Sequence, residues 1–231
     1  MLPSSGKLIG TLGVIAMISG FLVVLVYEYT RPIIAENRRE AIERAVFQVV
    51  PGATERRDLV VNNEGVFPAD SGRRGTPAYA AYDEGGTLRG IAAGAAAQGY
   101  AGIVQLLFGY DPKCQCITGF SVLKMAETPG LGDKIRTDEN FLANFESPGL
   151  DARLNAQHNA LANPIVVVKH GTRQHPWEID AISGATVTSK AVGKALNKAS
   201  QEMLPALWPY LDELQKQGPL KRREDSKGVE G

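Results

Sequence analysis

The amino-terminal part of the chain is one long apolar run. Leu8 to Tyr27 contains twenty residues without a charged side chain. At the rise of an α-helix this run spans about 30 Å, roughly the thickness of the hydrocarbon core of a membrane. A secretory signal peptide has a shorter apolar core and small residues at its cleavage site, whereas charged and bulky residues follow here at 28–32. The pattern predicts a retained transmembrane anchor in residues 1–30, in contact with membrane lipid.

The next segments mix helical and extended patterns. Residues 31–52 have the apolar spacing of a juxtamembrane helix that Pro51-Gly52 ends. The stretch 53–77 is rich in turn residues. Five apolar or alternating runs then predict strands, and the last is β-branched throughout, which is typical of a buried strand. These runs lie near 78–83, 88–97, 103–110, 117–125 and 164–169.

A second amphipathic helix begins near Val187. Apolar residues recur there every four positions, which places them on one face, and lysines mostly take the other face. The apolar set is Val187, Ala191, Ala195, Ala199 and Met203, with Val192 and Leu196 beside it. Upstream, 177–180 fits a short extended segment, and 138–145 fits a short helix. The chain from Ser183 to Thr186 therefore lies where an extended segment turns into a helix.

These elements predict an antiparallel-rich α+β fold on a single N-terminal transmembrane helix. The main domain covers 53–204, and 205–231 forms a short C-terminal helix and a charged, disordered tail. Acidic and basic residues balance at 25 each, which gives no reason to expect binding to nucleic acid. We expect no metal site, because Cys114 and Cys116 are too few ligands for one. The two thiols are expected to be free or transiently paired.

The helix entrance at residues 183–186 has the features of an anion site. First-turn N–H groups lack intrahelical partners, and the helix dipole adds positive character. The small side chains of Gly184 and Ala185 let an anion approach the backbone, and Asp180 and Ser183 can cap or brace the turn. Ordinary helix capping explains the same residues, and for the turn taken alone it is the more common explanation.

Three sequence blocks favour the anion site. Asp180 to Thr186, DAISGAT, resembles the D-x-x-[ST]-G-A-T signature of proteins that carry FMN on threonine. Glu127 to Ile135, ETPGLGDKI, and Gly99 to Gly102, GYAG, resemble two further blocks of the same family. The family comprises the G subunit of Rnf-type electron transport complexes and the C subunit of the sodium-pumping NADH:quinone reductase. A histidine frequent in the family, two positions before the loop glutamate, is Met125 here.

The resemblance implies a covalent FMN. Its phosphate would be esterified to Thr186, with Asp180, Ser183, Gly184, Ala185 and Thr188 around it. Thr188 and Ser189 are alternative hydroxyls in the same turn and are expected to be hydrogen-bond partners. The second block would contact the flavin through six residues: Glu127, Thr128, Gly130, Leu131, Gly132 and Lys134. In that set Thr128 and Leu131 are expected beside the ring or ribityl chain, and Lys134 beside phosphate or reduced flavin.

The resemblance also implies a function. The chain would be an electron-transfer subunit of a membrane-bound Rnf-type complex that couples ferredoxin/NAD electron flow to Na⁺ or H⁺ translocation. Its partners would be the other membrane and peripheral subunits, with a flavin transferase for maturation. The domain would lie on the periplasmic side of the bacterial inner membrane, although the arginines after the apolar run favour the cytoplasmic side by the positive-inside rule. Two alternatives are the C subunit of the quinone reductase and a cofactor-free, membrane-tethered assembly domain.

Overall fold

The computed structural model describes residues 5–62 and 64–218. It divides into two compact units, with the boundary between Glu43 and Arg44. One continuous helix, α1 (Ser5–Val49), includes Pro32 and extends from the first unit into the second. Its amino-terminal part is solvent-exposed and, with a mean hydropathy of 2.5, is apolar and long enough to cross a membrane. The finer division of the chain into four domains stays a prediction.

The second unit is built on a seven-stranded antiparallel sheet. The strands are β1 (Glu55–Asn62), β2 (Gly65–Pro68), β3 (Thr76–Tyr82), β4 (Leu88–Gln98), β5 (Ile103–Asp111), β6 (Cys116–Lys124) and β7 (Leu150–Asp151). Their order in the sheet is β2-β1-β3-β4-β5-β6-β7. Four predicted strands, near 78–83, 88–97, 103–110 and 117–125, are confirmed as β3 to β6. The α+β class with an antiparallel sheet is confirmed as well.

A second, small sheet pairs β8 (Val166–Val168) in parallel with β9 (Glu178–Asp180). The prediction of a buried strand at 164–169 is wrong in its burial, because Val166 is exposed and its two successors are half-buried. The two-stranded sheet packs against α3, and apart from Ile179 its residues are exposed or half-buried. Residue type alone does not distinguish this half-covered strand from a buried one.

In the described part of the chain, the second unit also contains three α-helices, α2 (Glu139–Leu142), α3 (Thr186–Leu207) and α4 (Leu211–Gln217). The buried side of α3 packs against β4 and its neighbours and joins one continuous apolar core. The helix continues through Pro205 to Leu207, where a helix start at Pro205 was expected. The predicted disordered tail falls almost wholly on residues 219–231, outside the described part of the chain.

The predicted apolar face of α3 is wrong at its first member. Val187 is 52% exposed, whereas Ala191, Ala195 and Met203 are buried. A helix turns 100° per residue, so each step of four residues advances the row by about 40°. Over the sixteen residues from Val187 to Met203 the row winds through about 160°, and its two ends cannot share a face.

The last turn of α1 packs on the sheet face opposite to α3. Val46 and Val49 are buried there, and the hydroxyl of Thr118 donates to the Val49 carbonyl at 2.7 Å. A Cβ at Gly109 would lie 1.9 Å from the same carbonyl oxygen. The close approach of helix and strand therefore requires a glycine at this position.

The two cysteines lie at the β5–β6 connection, with Cys114 in the turn and Cys116 as the first residue of β6. Cys114 and Cys116 form a disulfide bond, where free or transiently paired thiols were expected. The pair closes the hairpin end at which β7 also joins β6.

Candidate functional site

The start of α3 presents uncapped backbone donors. Helical conformation begins at Thr186, and the preceding residue, Ala185, makes no side-chain hydrogen bond to the helix. The chain reaches this point through Gly184, whose φ of +82° is rarely adopted by residues with a side chain. No hydrogen bond in the described part of the chain uses the amides of Thr186, Val187 and Thr188. The first turn therefore offers N–H groups and the positive end of the helix dipole to an anion.

Three hydroxyls in this turn have different surroundings. Thr186 is exposed, whereas Thr188 is 2% and Ser189 0% exposed. The Ser189 hydroxyl donates to the Ala185 carbonyl at 3.0 Å and accepts from the Ile182 amide at 3.1 Å. The Thr188 hydroxyl donates to Glu127 Oε2 at 2.6 Å. Of the three hydroxyls, that of Thr186 is the one open to a large reagent.

Glu127 is a buried carboxylate that joins three separate segments. Its residue is 8% exposed. One oxygen accepts from Thr188 in α3, and the other accepts from the Ala101 amide at 3.1 Å. Ala101 lies in the tight turn between β4 and β5, which the Gly99 amide closes by donating to the Gly102 carbonyl at 2.7 Å. Two of the three sequence blocks, 99–102 and 127–135, therefore meet directly at this carboxylate, and the third block, 180–186, ends two residues before its partner Thr188.

Two glycines make room for Glu127. A Cβ at Gly99 would lie 2.5 Å from Glu127 Oε1, and a Cβ at Gly132 would lie 2.6 Å from Oε2 and 2.8 Å from Thr188 Oγ1. Real Cβ atoms do not approach other atoms so closely. Both glycines are therefore required for space, whereas Gly130, with φ of +77° and open space around it, is required for its backbone conformation.

The loop after Glu127 projects into solvent. Its turn is closed by the Leu131 amide, which donates to the Thr128 carbonyl at 3.2 Å. Thr128 and Gly130 are exposed, and Leu131 is 52% exposed although it is apolar. A 3-10 helix, Gly132–Arg136, follows and contains Lys134.

Three exposed apolar side chains are neighbours in sequence of residues that contact Glu127. Tyr100 is 74% exposed, and Leu131 and Val187 are 52% each. Each of them immediately precedes a residue at the Glu127 carboxylate, namely Ala101, Gly132 or Thr188, so the three lie around one point of the surface. Tyr100 is thus not a core residue.

Asp180 does not cap α3. Its carboxylate accepts from the Gly171 amide at 2.7 and 3.0 Å, and its own amide donates to Asn144 Oδ1 at 2.8 Å. The expectation that Asp180 or Ser183 caps the helix is therefore wrong, because the cap position is Ala185, five positions after Asp180. The Asp180 carboxylate instead braces the 169–172 turn through the Gly171 amide. His170 Nδ1 lies 3.7 Å from Asp180 Oδ2 and 3.0 Å from the Ala181 carbonyl.

A cavity of about 150 Å³ lies beside the turn that leads into α3. Among the residues lining it are Lys134, Asp180, Ser183 and His170. The cavity therefore brings together three residues of the predicted set, from two sequence blocks. It places a cationic side chain on the same side of the turn as the exposed Ser183.

The predicted residues thus fall into three groups. Glu127, Gly132 and Thr188 are in mutual contact, and Lys134, Asp180 and Ser183 share the cavity. The remaining members are Thr128, Gly130 and Leu131 in the exposed loop, and Gly184, Ala185 and Thr186 at the helix entrance, where Ala185 alone is buried. Their roles toward a flavin stay predictions.

Sequence reasoning missed two supporting residues. Asn144, 2% exposed, donates to the Asp180 carbonyl at 3.3 Å and also accepts from the Asp180 amide, so it ties β9 to the 3-10 helix Ala143–Phe145 that follows α2. Ala101 contributes a backbone amide, which is independent of side-chain identity and leaves no signal in the sequence. For Asn144, the signal available was a polar residue among the apolar residues 141–145.

Comparison with known proteins gives family matches at both ends of the chain. An FMN-binding domain model matches residues 99–201, and an RnfG N-terminal region model matches residues 1–49. The G subunit of the ion-translocating oxidoreductase complex of Pseudomonas aeruginosa is 33% identical over 190 residues, which cover 81% of this chain and 83% of that protein. The protein of the same name from Methanosarcina acetivorans is 31% identical over 193 residues, covering 84% of this chain and 91% of that protein.

A solved structure shares the fold. The crystal structure of Shewanella oneidensis NqrC superimposes with a TM-score of 0.54 and covers 79% of this chain and 99% of that chain. Its sequence identity is 18%, so the likeness concerns the fold alone.

Proposed function

Because the chain belongs to the family of G subunits of ion-translocating oxidoreductase complexes, we propose that it carries FMN as a phosphoester on Thr186 and relays electrons between neighbouring subunits. The family resemblance inferred from three short blocks is confirmed by the matches over more than four-fifths of the chain. Membership makes the chain a subunit of a redox-driven translocase. The covalent attachment and the residue that carries it are the proposal.

The observation that carries the proposal is the contrast among the three hydroxyls of the first turn of α3. Thr188 and Ser189 are buried and use their hydroxyls in hydrogen bonds inside the protein. Thr186 is exposed at the first helical position. A phosphoester on its oxygen would place the phosphate beside the uncapped amides of the turn, where a negative charge is stabilised.

The space around Thr186 fits a bulky nucleotide. A Cβ at Gly184 would meet no atom within 4 Å, so the approach to the helix entrance is open. Lys134, on the cavity that also contains Ser183, supplies a positive charge close to the turn. Leu131, Tyr100 and Val187 offer apolar surface for the isoalloxazine ring.

The bound group would supply the redox chemistry, and the chain would supply its position and surroundings. Because Thr186 and its apolar neighbours are exposed, a cofactor held there would be accessible to partner subunits. We propose that these are the other membrane and peripheral subunits of an Rnf-type complex, which couples ferredoxin/NAD electron flow to Na⁺ or H⁺ movement. A separate flavin transferase would attach the FMN.

We further propose that the unit from Arg44 onward faces the periplasm of a bacterial cell, with α1 as its anchor in the inner membrane. The resemblance to the family supports this side. The arginines that follow the apolar run oppose it by the positive-inside rule. Protease treatment of sealed spheroplasts tests the side, since a periplasmic domain is digested there and a cytoplasmic one is protected.

Mass spectrometry of the full chain, purified from membranes of its native host, tests the attachment. We expect a mass above that of the polypeptide by FMN less one water, and a modified peptide that maps to Thr186. The T186V variant should fold and lose both the added mass and the flavin fluorescence of its band on a denaturing gel. The T137V variant, which removes an exposed hydroxyl elsewhere, should retain both.

Two outcomes would contradict the proposal. An unmodified natively produced chain would favour the cofactor-free assembly domain. A modified chain whose flavin remains after T186V would move the attachment to another hydroxyl, with Ser183 an exposed candidate three residues earlier.

A further inference from the structure

The buried carboxylate of Glu127 has no role in the attachment chemistry, although it lies at the centre of the candidate site. Both of its oxygens accept hydrogen bonds, from the Ala101 amide at 3.1 Å and from the Thr188 hydroxyl at 2.6 Å. Such a carboxylate is costly to bury unless its partners are fixed. Here they come from two segments, at residues 101 and 188, that are far apart in the chain.

The surroundings of Glu127 exclude other arrangements of these segments. Gly99 and Gly132 press against its two oxygens so closely that neither position has space for a Cβ. The β4–β5 turn, the 127–132 loop and the first turn of α3 therefore have one common point of contact. A shift of any of the three would break a hydrogen bond or create a clash with the carboxylate.

We propose that Glu127 is the positioning residue of the flavin site: through Thr188 it fixes the first turn of α3, so that the Thr186 hydroxyl faces the flavin transferase in one orientation. This inference rests on the proposed attachment at Thr186. Thr188 lies two residues beyond Thr186 in the same turn, so fixing one side of the helix with a short hydrogen bond sets the direction of the other side.

Ser189 holds the same turn from within. Its hydroxyl bridges the Ile182 amide and the Ala185 carbonyl and so fixes the approach to the helix. Because both partners belong to the same turn, Ser189 does not fix the position of the turn relative to the rest of the domain. The Glu127–Thr188 hydrogen bond supplies that placement.

The role requires hydrogen-bonding geometry more than charge. In the E127Q variant the amide oxygen can accept from Ala101 while the amide nitrogen donates to the Thr188 hydroxyl, which is able to accept. Both links to the neighbouring segments survive in that arrangement. In T188V one link is lost with little change in side-chain shape, and in E127A both are lost.

The experiment measures FMN transfer to the full-length chain in detergent by the flavin transferase with FAD and Mg²⁺, followed as covalent flavin fluorescence against acceptor concentration. We expect transfer at saturating acceptor to fall about tenfold in T188V and further in E127A, since a lost buried hydrogen bond changes an equilibrium by about that factor. T188S and E127Q should stay within about threefold of wild type.

T118V is the matched control for loss of stability. It removes a threonine hydroxyl that also donates a short hydrogen bond, to the Val49 carbonyl, on the other face of the sheet. The melting temperatures of T118V and T188V show how much stability each substitution removes. We expect T118V to lower the melting temperature at least as much as T188V while its FMN transfer stays at the wild-type rate.

Three results would overturn the positioning role while wild type is flavinylated on Thr186. One is T188V transfer at the wild-type rate, the second is equal loss in T118V and T188V, and the third is no recovery in T188S. If E127A does not fold, the T188V and T188S pair decides. Absence of flavin on wild-type Thr186 would instead refute the proposed function on which the inference rests.

Discussion

The start of α3 and the end of α1 are both fixed by close contacts, but the hydrogen-bond acceptors differ. At each place a helix end is held by a hydrogen bond from a threonine hydroxyl, and a glycine admits the close approach. At the end of α1 the acceptor is a backbone carbonyl, that of Val49, and Gly109 lies against it. At the start of α3 the acceptor is the side chain of Glu127, and Gly132 lies against it.

The two acceptors differ in the number of chain segments that each one holds together. The Val49 carbonyl fixes one helix end to the strands beneath it. The Glu127 carboxylate fixes a helix, a turn and a loop at once, and the exposed Thr186 belongs to that helix. We therefore expect damage at the first place to reduce stability and damage at the second place to reduce flavin attachment.

The largest effect on stability is expected from G109A. The new Cβ would lie 1.9 Å from the Val49 carbonyl oxygen and 2.6 Å from its carbonyl carbon, and backbone cannot yield as a side-chain end can. The last turn of α1 must then move away from the sheet. We expect a loss of about 3 kcal/mol in the free energy of unfolding, measured by urea titration in detergent.

The flavin content of G109A sharpens the comparison. Folded G109A should carry as much covalent flavin per chain as wild type after maturation with the transferase. A loss of flavin in proportion to the loss of stability would mean that the two places are not independent.

G132A should show the reverse pattern. Its Cβ would meet the Glu127 carboxylate at 2.6 Å and the Thr188 hydroxyl at 2.8 Å, both of which are side-chain atoms able to move. We expect a smaller loss of stability, about 1–2 kcal/mol, because the loop is exposed and can shift. Covalent flavin measured on denaturing gels should fall about tenfold, since the shift breaks the Glu127–Thr188 hydrogen bond.

G130A is the control for G132A. It strains the backbone of the same loop, because Gly130 has φ of +77°, yet its Cβ would meet no atom within 4 Å. Equal flavin loss in both variants would show that the loop conformation matters and the contact with Glu127 does not.

A smaller, pH-dependent effect is expected from E178Q. Like Glu127, the Glu178 carboxylate accepts two hydrogen bonds, but Glu178 lies at the surface. The donors are the backbone amides of Gln174 and His175, at 2.7 and 3.0 Å. The hydrogen bond from Gln174, together with that from His175, lowers the pKa of Glu178 below its ordinary value of 4.5, against the opposing effect of desolvation. Its contribution to stability is therefore present above about pH 4.5 and is lost as the pH falls through the lowered pKa.

The melting temperature of E178Q should accordingly lie slightly below that of wild type at pH 7. The difference should shrink as the pH falls, because the wild-type carboxyl becomes protonated while the amide does not titrate. A difference that is constant from pH 7 to pH 3 would rule out this explanation. Flavin attachment should not change, since Glu178 makes no contact with Glu127 or Thr188.

The sequence predicted the elements of this site better than their connections. Apolar periodicity located α3, and alternation located β3 to β6, because each is a local pattern of one element. It could not reveal that Glu127 touches residues 101 and 188, since this contact depends on how three distant segments fold together. The strands β1 and β2 were missed within 53–77 because β1 begins with the charged and polar residues ERRD, and the intervening turn dominated the pattern.

The smallest effect is expected from Y110F, which removes a buried polar atom that nothing balances. The hydroxyl of Tyr110 is buried and has no hydrogen-bond partner among the described residues, in contrast to the two partners of Glu127. Burial raises the pKa of Tyr110, and the carboxylates of Asp111 and Asp151 raise it further, so the side chain stays neutral. Phenylalanine avoids the desolvation of an unpaired hydroxyl, so we expect the free energy of unfolding to rise by between zero and about 1 kcal/mol in the variant.

The same substitution should change the pH dependence of stability. Because the pKa of Tyr110 is raised in the folded state, wild type should lose stability as the pH rises above about 10, and Y110F should lose less. A variant less stable than wild type by more than about 1 kcal/mol at pH 7 would show that the hydroxyl has a partner, such as an ordered water.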